Sequence, residues 1–361
     1  MPFPRFQLDP LTRKKFRRFR SIRRGYVSLL LLGAAILLSI VAELLVNNRA
    51  LIVHYEGKTF FPTYGAIHTG REFGFDYDYE VNYRALAARL EAEKEAGANS
   101  GNWVLMPLVP YNPLENCYPG ESFKPRPPEA ASRHFLGTDQ INRDILARLV
   151  YGFRNALIFS SAFIVFTYLI GITIGCLMGY FGGWFDLGVQ RLIEIWSNIP
   201  FLFVVIIVAS VVPPSIGMNL GVLLFIVVLF SWTGMTYYMR SATYKEKARD
   251  YVHAAEVLGA STSRIIFRHI LPNVLSTLVT FIPFTIASSI SALTALDFLG
   301  FGLPPPTPSW GELLRQGTSN LQAPWIVASA FSALVIVLVL VTFIGEAIRE
   351  AFDPKKFTLY R

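Results

Sequence analysis

Residues 251–273 read YVHAAEVLGASTSRIIFRHILPN. This is the one long polar interruption between two strongly apolar segments that is neither a short turn nor an irregular loop. The spacing predicts two short helices around a glycine. The first covers 245–258, with Ala254 and Ala255 as a small-residue face. Gly259 can take the left-handed conformation that ends such a helix. Ser261 is placed to cap a second helix carrying Arg264, Arg268 and His269. Pro272 is tolerated in the first turn of the apolar helix that follows. Crossing a bilayer does not require such an element, so its surface is expected to be gripped by a partner.

The stretch resembles the EAA loop of ABC importer permeases, whose pattern is E-A-A, three residues, G, nine residues, I-x-L-P. Ala254, Ala255, Gly259, Leu271 and Pro272 match at the right spacing, while His253 stands at the pattern's Glu and His269 at its Ile. The resemblance assigns ATPase coupling to His253, Ala254, Ala255, Glu256, Gly259, Ser261, Arg264, His269 and Pro272. The HILPN ending is similar to the oligopeptide and dipeptide branch.

Composition independently gives the class. Of 361 residues, 53% are hydrophobic and 16% charged, a polytopic membrane balance. The net charge of +8 is concentrated in the first 24 residues, where nine Lys/Arg face the single Asp9. A basic tail before an apolar span is read as a cytoplasmic retention signal. That span has no small-residue cleavage site, so it reads as an uncleaved anchor. Cys117 falls in a polar loop and Cys176 in an apolar span, so they are not expected to pair.

Six spans are expected, at 26–46, 155–181, 193–212, 220–243, 274–298 and 325–348, each long enough for about 30 Å of hydrocarbon. Six crossings place both termini, 1–25 and 350–361, in the cytoplasm. The cytoplasmic 240–270 loop is basic, while the outer loop 299–324 carries only Arg315. A long polar insertion, 47–152, separates the first span from a core at 153–349. Within it, 82–96 reads as an amphipathic helix with Leu86 and Leu90 on one side and Gly97 as its stop.

Residues 134–157, HFLGTDQINRDILARLVYGFRNAL, read as an amphipathic helix lying on the membrane, with Asp139–Arg143 and Asp144–Arg148 as i,i+4 pairs. The segment resembles the L-G-T-D-x-x-G-R-D-x-L-x-R-x-x-Y-G-x-R motif of peptide permeases, with Asn142 at the motif's glycine.

Gly171, Gly175 and Gly179 form a face that another helix can approach closely, in this chain or in another subunit. In the fifth span Thr277, Thr280, Phe284, Ser288, Ser291 and Thr294 recur every three or four residues, one face of a helix. Hydroxyls there either bond back to their own helix or line a wet translocation path, and the whole stripe favours the path. Pro283 should bend this helix. The outer segment LDFLGFGLPPPTPSWGELLRQG resembles the family's extracytoplasmic gate. Asp297, Trp310 and Glu312 sit there, with packing as the plain alternative.

The sequence offers no catalytic or metal constellation. Gly57-Lys58-Thr59 lacks the upstream glycine of a phosphate loop, and the five histidines are scattered. Few acids lie in the spans, against the alternative of an ion-coupled secondary transporter or channel subunit. The expected fold is all-α and polytopic, a type I ABC importer permease core with a long periplasmic insertion. The resemblance, covering about 135–354, implies a permease that does no chemistry itself. Its implied partners are a second homologous permease, cytoplasmic ATPase domains that bind ATP and Mg, a periplasmic peptide-binding protein and the lipid bilayer. No cofactor in this chain and no nucleic acid are implied. The implied cargo is a peptide or a microcin C-like peptide antibiotic.

Overall fold

The computed structural model describes residues 10–97, 101–213 and 215–353. Lys355, Lys356 and Arg361 of the expected cytoplasmic tail lie outside the described residues. The basic tail forms α1 (Pro10–Ser21) and runs into the first span, α2 (Arg23–Ile40), followed by a single turn, α3 (Ala42–Leu45). The break at Val41 exposes carbonyls that a helix end leaves unpaired. Arg154 takes two of them, with Nη2 donating to Ser39 O at 2.6 Å and to Ile40 O at 3.4 Å.

The insertion carries its own small core. Strands β1 (Ile52–Tyr55), β2 (Lys58–Phe60) and, after α4 (Tyr83–Glu95), β3 (Trp103–Leu105) form an antiparallel sheet in the order β2-β1-β3. Alternation along β1 turns Val53 inward to Phe73, Leu86 and Leu90, all buried. Asn82 caps α4 by accepting from the Arg84 and Ala85 amides, and Gly97 follows with φ +87°, close to the expected 82–96 helix.

The 134–157 segment departs from expectation. Residues 134–144 are turns, and the helix, α5 (Ile145–Phe181), begins only after them. Asn142 has φ +62°, a left-handed conformation that asparagine tolerates best after glycine, which accounts for the motif's glycine at this position. Asp139 and Arg143 do pair, but around a closed turn: Arg143 N donates to Asp139 Oδ1 at 2.9 Å. Asp144 does not reach Arg148. It caps α5 by accepting from Ala147 N at 2.7 Å and holds His134 Nδ1 at 2.7 Å.

At 37 residues and 1.5 Å per residue, α5 is about 55 Å long. It runs from the insertion to the opposite end of the molecule. The predicted third span is bent: α6 (Gly183–Ser197) and α7 (Phe201–Val211) meet at 72°. Pro200 at the break has no amide to donate and disfavours helix in Ile199 before it. Helix α8 (Leu220–Lys247) then packs along α5, running past the expected end at 243. The glycines allow this approach: a Cβ on Gly175 would stand 2.5 Å from Thr236 O, and one on Gly179 2.5 Å from Arg240 O. The neighbour of Gly171, Gly175 and Gly179 is therefore α8 of the same chain.

After α8 come α9 (Asp250–Val257), one turn of α10 (Thr262–Arg264), a π-helical stretch (Ile265–Ile270), α11 (Leu271–Leu278), a 3-10 turn (Val279–Phe281) and α12 (Ile282–Leu299). The two irregular turns each precede a proline. Pro272 and Pro283 cannot donate to the carbonyl four residues back, and the helix adjusts its winding instead of stopping. Helices α13 (Trp310–Ser319) and α14 (Pro324–Phe352) complete the chain. Among the described residues five helices are long and apolar enough to cross a membrane, and the bent pair makes a sixth if counted as one span.

Candidate functional site

Two ends of the bundle are chemically distinct. At one end the insertion packs on α13 and the turns before it. Arg143 Nη2 donates to Glu312 Oε1 at 2.8 Å, Arg148 pairs with Glu312 Oε2, and Arg148 Nη1 donates to the carbonyls of Pro113 (3.0 Å) and Pro306 (3.1 Å). Trp310 stacks on Phe153 and donates Nε1 to Leu149 O at 2.9 Å. Ser309 caps α13 and also donates to Asp297 Oδ2 at 2.5 Å. The segment 297–312 is thus bound to the first turns of α5. Asp139, Arg143, Arg148 and Glu312 are all buried, a network that ordinary packing residues would not need. The sequence signal was the charges set among apolar residues in 134–157 and 297–312, but their spacing pointed only to local pairs.

At the other end lies the helix–glycine–helix element. Helix α9 ends in two bonds characteristic of a left-handed cap: Gly259 N to Glu256 O at 2.9 Å and Ala260 N to Ala255 O at 3.0 Å. Gly259 has φ +77° with open space where a Cβ would stand, so the conformation, not crowding, calls for glycine. The first helix is shorter than the expected 245–258. Lys247 ends α8, and a turn at Ala248 and Arg249 separates it from α9.

The two alanines of this element point in different directions. Ala255 is buried with Val252 against Ile265 and Ile266 of the following turn, whereas Ala254 is exposed. One face cannot hold two adjacent helical residues, because each step rotates by about 100°. The outward surface is formed by His253, Ala254, Glu256, Val257 and Leu258, and Val257 and Leu258 are 88% and 86% exposed. Their exposure was legible from the same rotation, once Val252 and Ala255 are assigned inward. Ser261 occupies the cap position by its backbone, but its hydroxyl makes no cap bond. Arg264 and Pro272 are exposed and His269 half-buried along the turn that leads into the fifth span.

The six residues of the fifth-span stripe do not share one environment. Thr277, Ser288 and Ser291 are exposed and Thr280 half-exposed. Phe284 leans on Gly345 of α14, and Thr294 is buried beneath Gly311 of α13. Successive steps of three turn the helix back by about 60° each, so Ser288, Ser291 and Thr294 drift off a common face. Thr280 and Ser291 also bond back to Thr277 O (2.6 Å) and Ala287 O (2.9 Å). The open face passes through Thr277, Ser288, Ser291 and Ala295.

A polytopic helical bundle with a structured insertion at one end and a glycine-capped apolar tip at the other is built as a membrane permease. The chain belongs to the family described as binding-protein-dependent transport system inner membrane component, whose model matches residues 171–358. It is 41% identical to the inner membrane ABC transporter permease protein YejE of Escherichia coli, over 97% of this chain and 99% of that protein. It is 37% identical to the peptidoglycan transport system permease protein YejE of Agrobacterium fabrum, over 96% of this chain and 94% of that protein. It is 32% identical to the oligopeptide transport system permease protein OppC of Mycobacterium bovis, over 72% of this chain and 87% of that protein. Its multi-pass helical core is that of an ABC permease of the inner membrane.

Proposed function

We propose that this chain is one permease subunit of an ATP-driven importer of peptides or peptide-like antibiotics, working beside a second homologous permease. A periplasmic binding protein delivers cargo at the insertion end, and a pair of cytoplasmic ATPase domains, which bind ATP and Mg, grips the α9 tip. Both termini then lie in the cytoplasm. The observation that carries this reading is the tip itself: Val257 and Leu258 stand almost fully in the open. Two adjacent, almost fully exposed apolar side chains at the end of a helix, next to exposed His253 and Ala254, supply the apolar patch that a partner surface would cover.

In this reading the tip transmits ATPase closure through Ala255 and Val252 into Ile265 and Ile266, and so into α11 and α12. His253, Ala254, Glu256 and Gly259 form or shape the gripped surface. Ser261, Arg264, His269 and Pro272 belong to the lever that joins it to the fifth span. Thr277, Thr280, Ser288 and Ser291 are assigned to the cargo path, with Phe284 and Thr294 as packing residues behind it. The relatives' names, which include oligopeptide and peptidoglycan transport, support peptide-like cargo.

Mass spectrometry of the intact complex, extracted in mild detergent, tests the reading. The expected result is a particle holding this chain, a different permease and two ATPase domains, with ATP hydrolysis stimulated by loaded binding protein. A particle of this chain alone that still moved cargo would overturn it.

A further inference from the structure

Between α2 and α5 runs an open groove of about 560 Å³. Ile36 and Ile40 form one wall, and Leu157, Ile158, Ala162 and Phe166 the other. From Arg154 to Phe166 helix α5 rises about 18 Å, the depth of one leaflet, or about half of a 30 Å hydrocarbon layer. The groove is almost wholly apolar, with its charged group at the insertion-side end, where Arg154 sits. Arg154 pairs there with Glu43, Nη1 to Oε1 at 2.7 Å, and both side chains remain about one-third exposed, 28% and 32%.

A second feature marks the same level. In the loop after β2, Phe61, Tyr64 and Ile67 are exposed, each by 60% or more. Thr63 ties this loop to the segment just before β1 by donating to Ala50 O at 2.9 Å. The Tyr64 phenol lies within electrostatic reach of Tyr151 and Arg154. The exposed Tyr64 ring, near the charged end of the groove, is suited to the interfacial position that aromatic side chains take at headgroup depth.

We propose that this groove is a phospholipid site. One acyl chain of an insertion-side leaflet lipid lies along Leu157, Ile158, Ala162 and Phe166, and its headgroup rests at the rim between Arg154, Glu43 and Tyr64. The rim is a closed, net-neutral pair: Arg154 meets both Glu43 oxygens and also donates to Ser39 O and Ile40 O, so a headgroup reaches only the partly exposed outer edges of the guanidinium and the carboxylate. That pair complements a zwitterionic headgroup, with phosphate toward Arg154 and ammonium toward Glu43, better than a purely anionic one. The lipid would fasten the first span and the insertion to the core at a place where α2 and α5 leave a gap.

The test uses the complete transporter in nanodiscs of phosphatidylethanolamine bearing a photoactivatable acyl chain, with adducts mapped by mass spectrometry. Adducts on the groove walls should exceed those on Phe331 and Ile336, exposed on α14, by fivefold or more, and groove labelling should survive a detergent wash applied before irradiation. Ala162→Trp should cut groove adducts by fivefold or more and leave the α14 adducts unchanged. If that variant does not assemble, Ser161→Trp, at an exposed lining position, makes the same comparison. Phosphatidylglycerol carrying the same chain should label the groove several-fold less. Equal labelling of groove and α14, groove labelling unaffected by the tryptophan, or a groove that cross-links to another polypeptide would each overturn the site. Equal labelling by the two lipids would overturn the headgroup assignment.

Discussion

Arg143 and Glu312 lie 169 residues apart and meet in a buried ion pair, Nη2 to Oε1 at 2.8 Å. The bond joins the last turn of the insertion to the first turn of α13. Both carboxylate oxygens of Glu312 are used, since the other pairs with Arg148. Removing one member of a buried pair leaves an uncompensated charge, a cost of about 3–5 kcal/mol. Glu312→Ala is therefore expected to lower the thermal stability of the purified complex steeply. The double change Arg143→Met with Glu312→Leu should recover most of the loss. Arg143→Met alone and Glu312→Leu alone complete the cycle, and a double-variant loss equal to the sum of theirs would show that the pair is not coupled.

Gly175 of α5, like Gly179, is predicted to tolerate no side chain. Its virtual Cβ falls 2.5 Å from the Thr236 carbonyl and 2.7 Å from Met239 Cβ, so Gly175→Val must part α5 from α8. Overpacking of this kind costs about 1–3 kcal/mol. Gly188→Ala in α6, with open space around it, serves as the control. Comparable yields of folded complex from both variants would contradict the close approach.

The α9 tip separates docking from folding. Leu258→Asp and Ala254→Arg alter exposed positions and should leave insertion into the membrane and yield unchanged. Uptake is expected to fall tenfold or more, the equivalent of about 1.4 kcal/mol in partner binding, with poor co-purification of the ATPase. Ala255→Arg is expected to fail differently, by unfolding the tip, because Ala255 faces Ile265 and Ile266. Gly259→Val should add backbone strain at φ +77°. Normal transport by Leu258→Asp and Ala254→Arg together would remove the coupling role.

Orientation is tested by phosphatase fusions. A reporter placed after Gly97, at the exposed end of α4, should be active outside the cytoplasm, and one placed after Arg361 inactive. The reverse pattern would put the α9 tip on the wrong side for any ATPase.

The insertion should weaken in alkali. Burial pushes the phenols of Tyr83 and Tyr111 up to about 12, above an unfolded value of about 10. Their neutral forms thus favour the folded state. This contribution is fully present below pH 10 and is lost as pH rises from about 10 to 12. Tyr83→Phe should flatten the alkaline limb of unfolding followed by circular dichroism. Burial likewise raises the Cys117 thiol, so a thiolate-directed reagent at neutral pH should modify Cys117 only after denaturation.

Much of this protein is set locally. The apolar runs are long enough to span a bilayer whatever surrounds them. Asn82 starts α4 by accepting from the amides of its own first turn, and Gly259 reverses the chain because its φ must be positive. Pro200, Pro272 and Pro283 perturb helices through an amide they lack. Each of these rests on a residue and its neighbours within one or two turns, so the sequence carries them in full. Periodicity also supplied helix faces, but it could not say what lies opposite. Ala254 and Ala255 looked equivalent until Ile265 and Ile266 covered one of them. The same limit applied to Gly171, Gly175 and Gly179, whose neighbour became known only when α8 lay along them. Asp144 and Arg148 stood at ideal helical spacing, yet a capping bond and Glu312, 164 residues away, claimed them first. A buried charge is stable only where its partners converge from distant parts of the chain, and that convergence is decided by the tertiary structure.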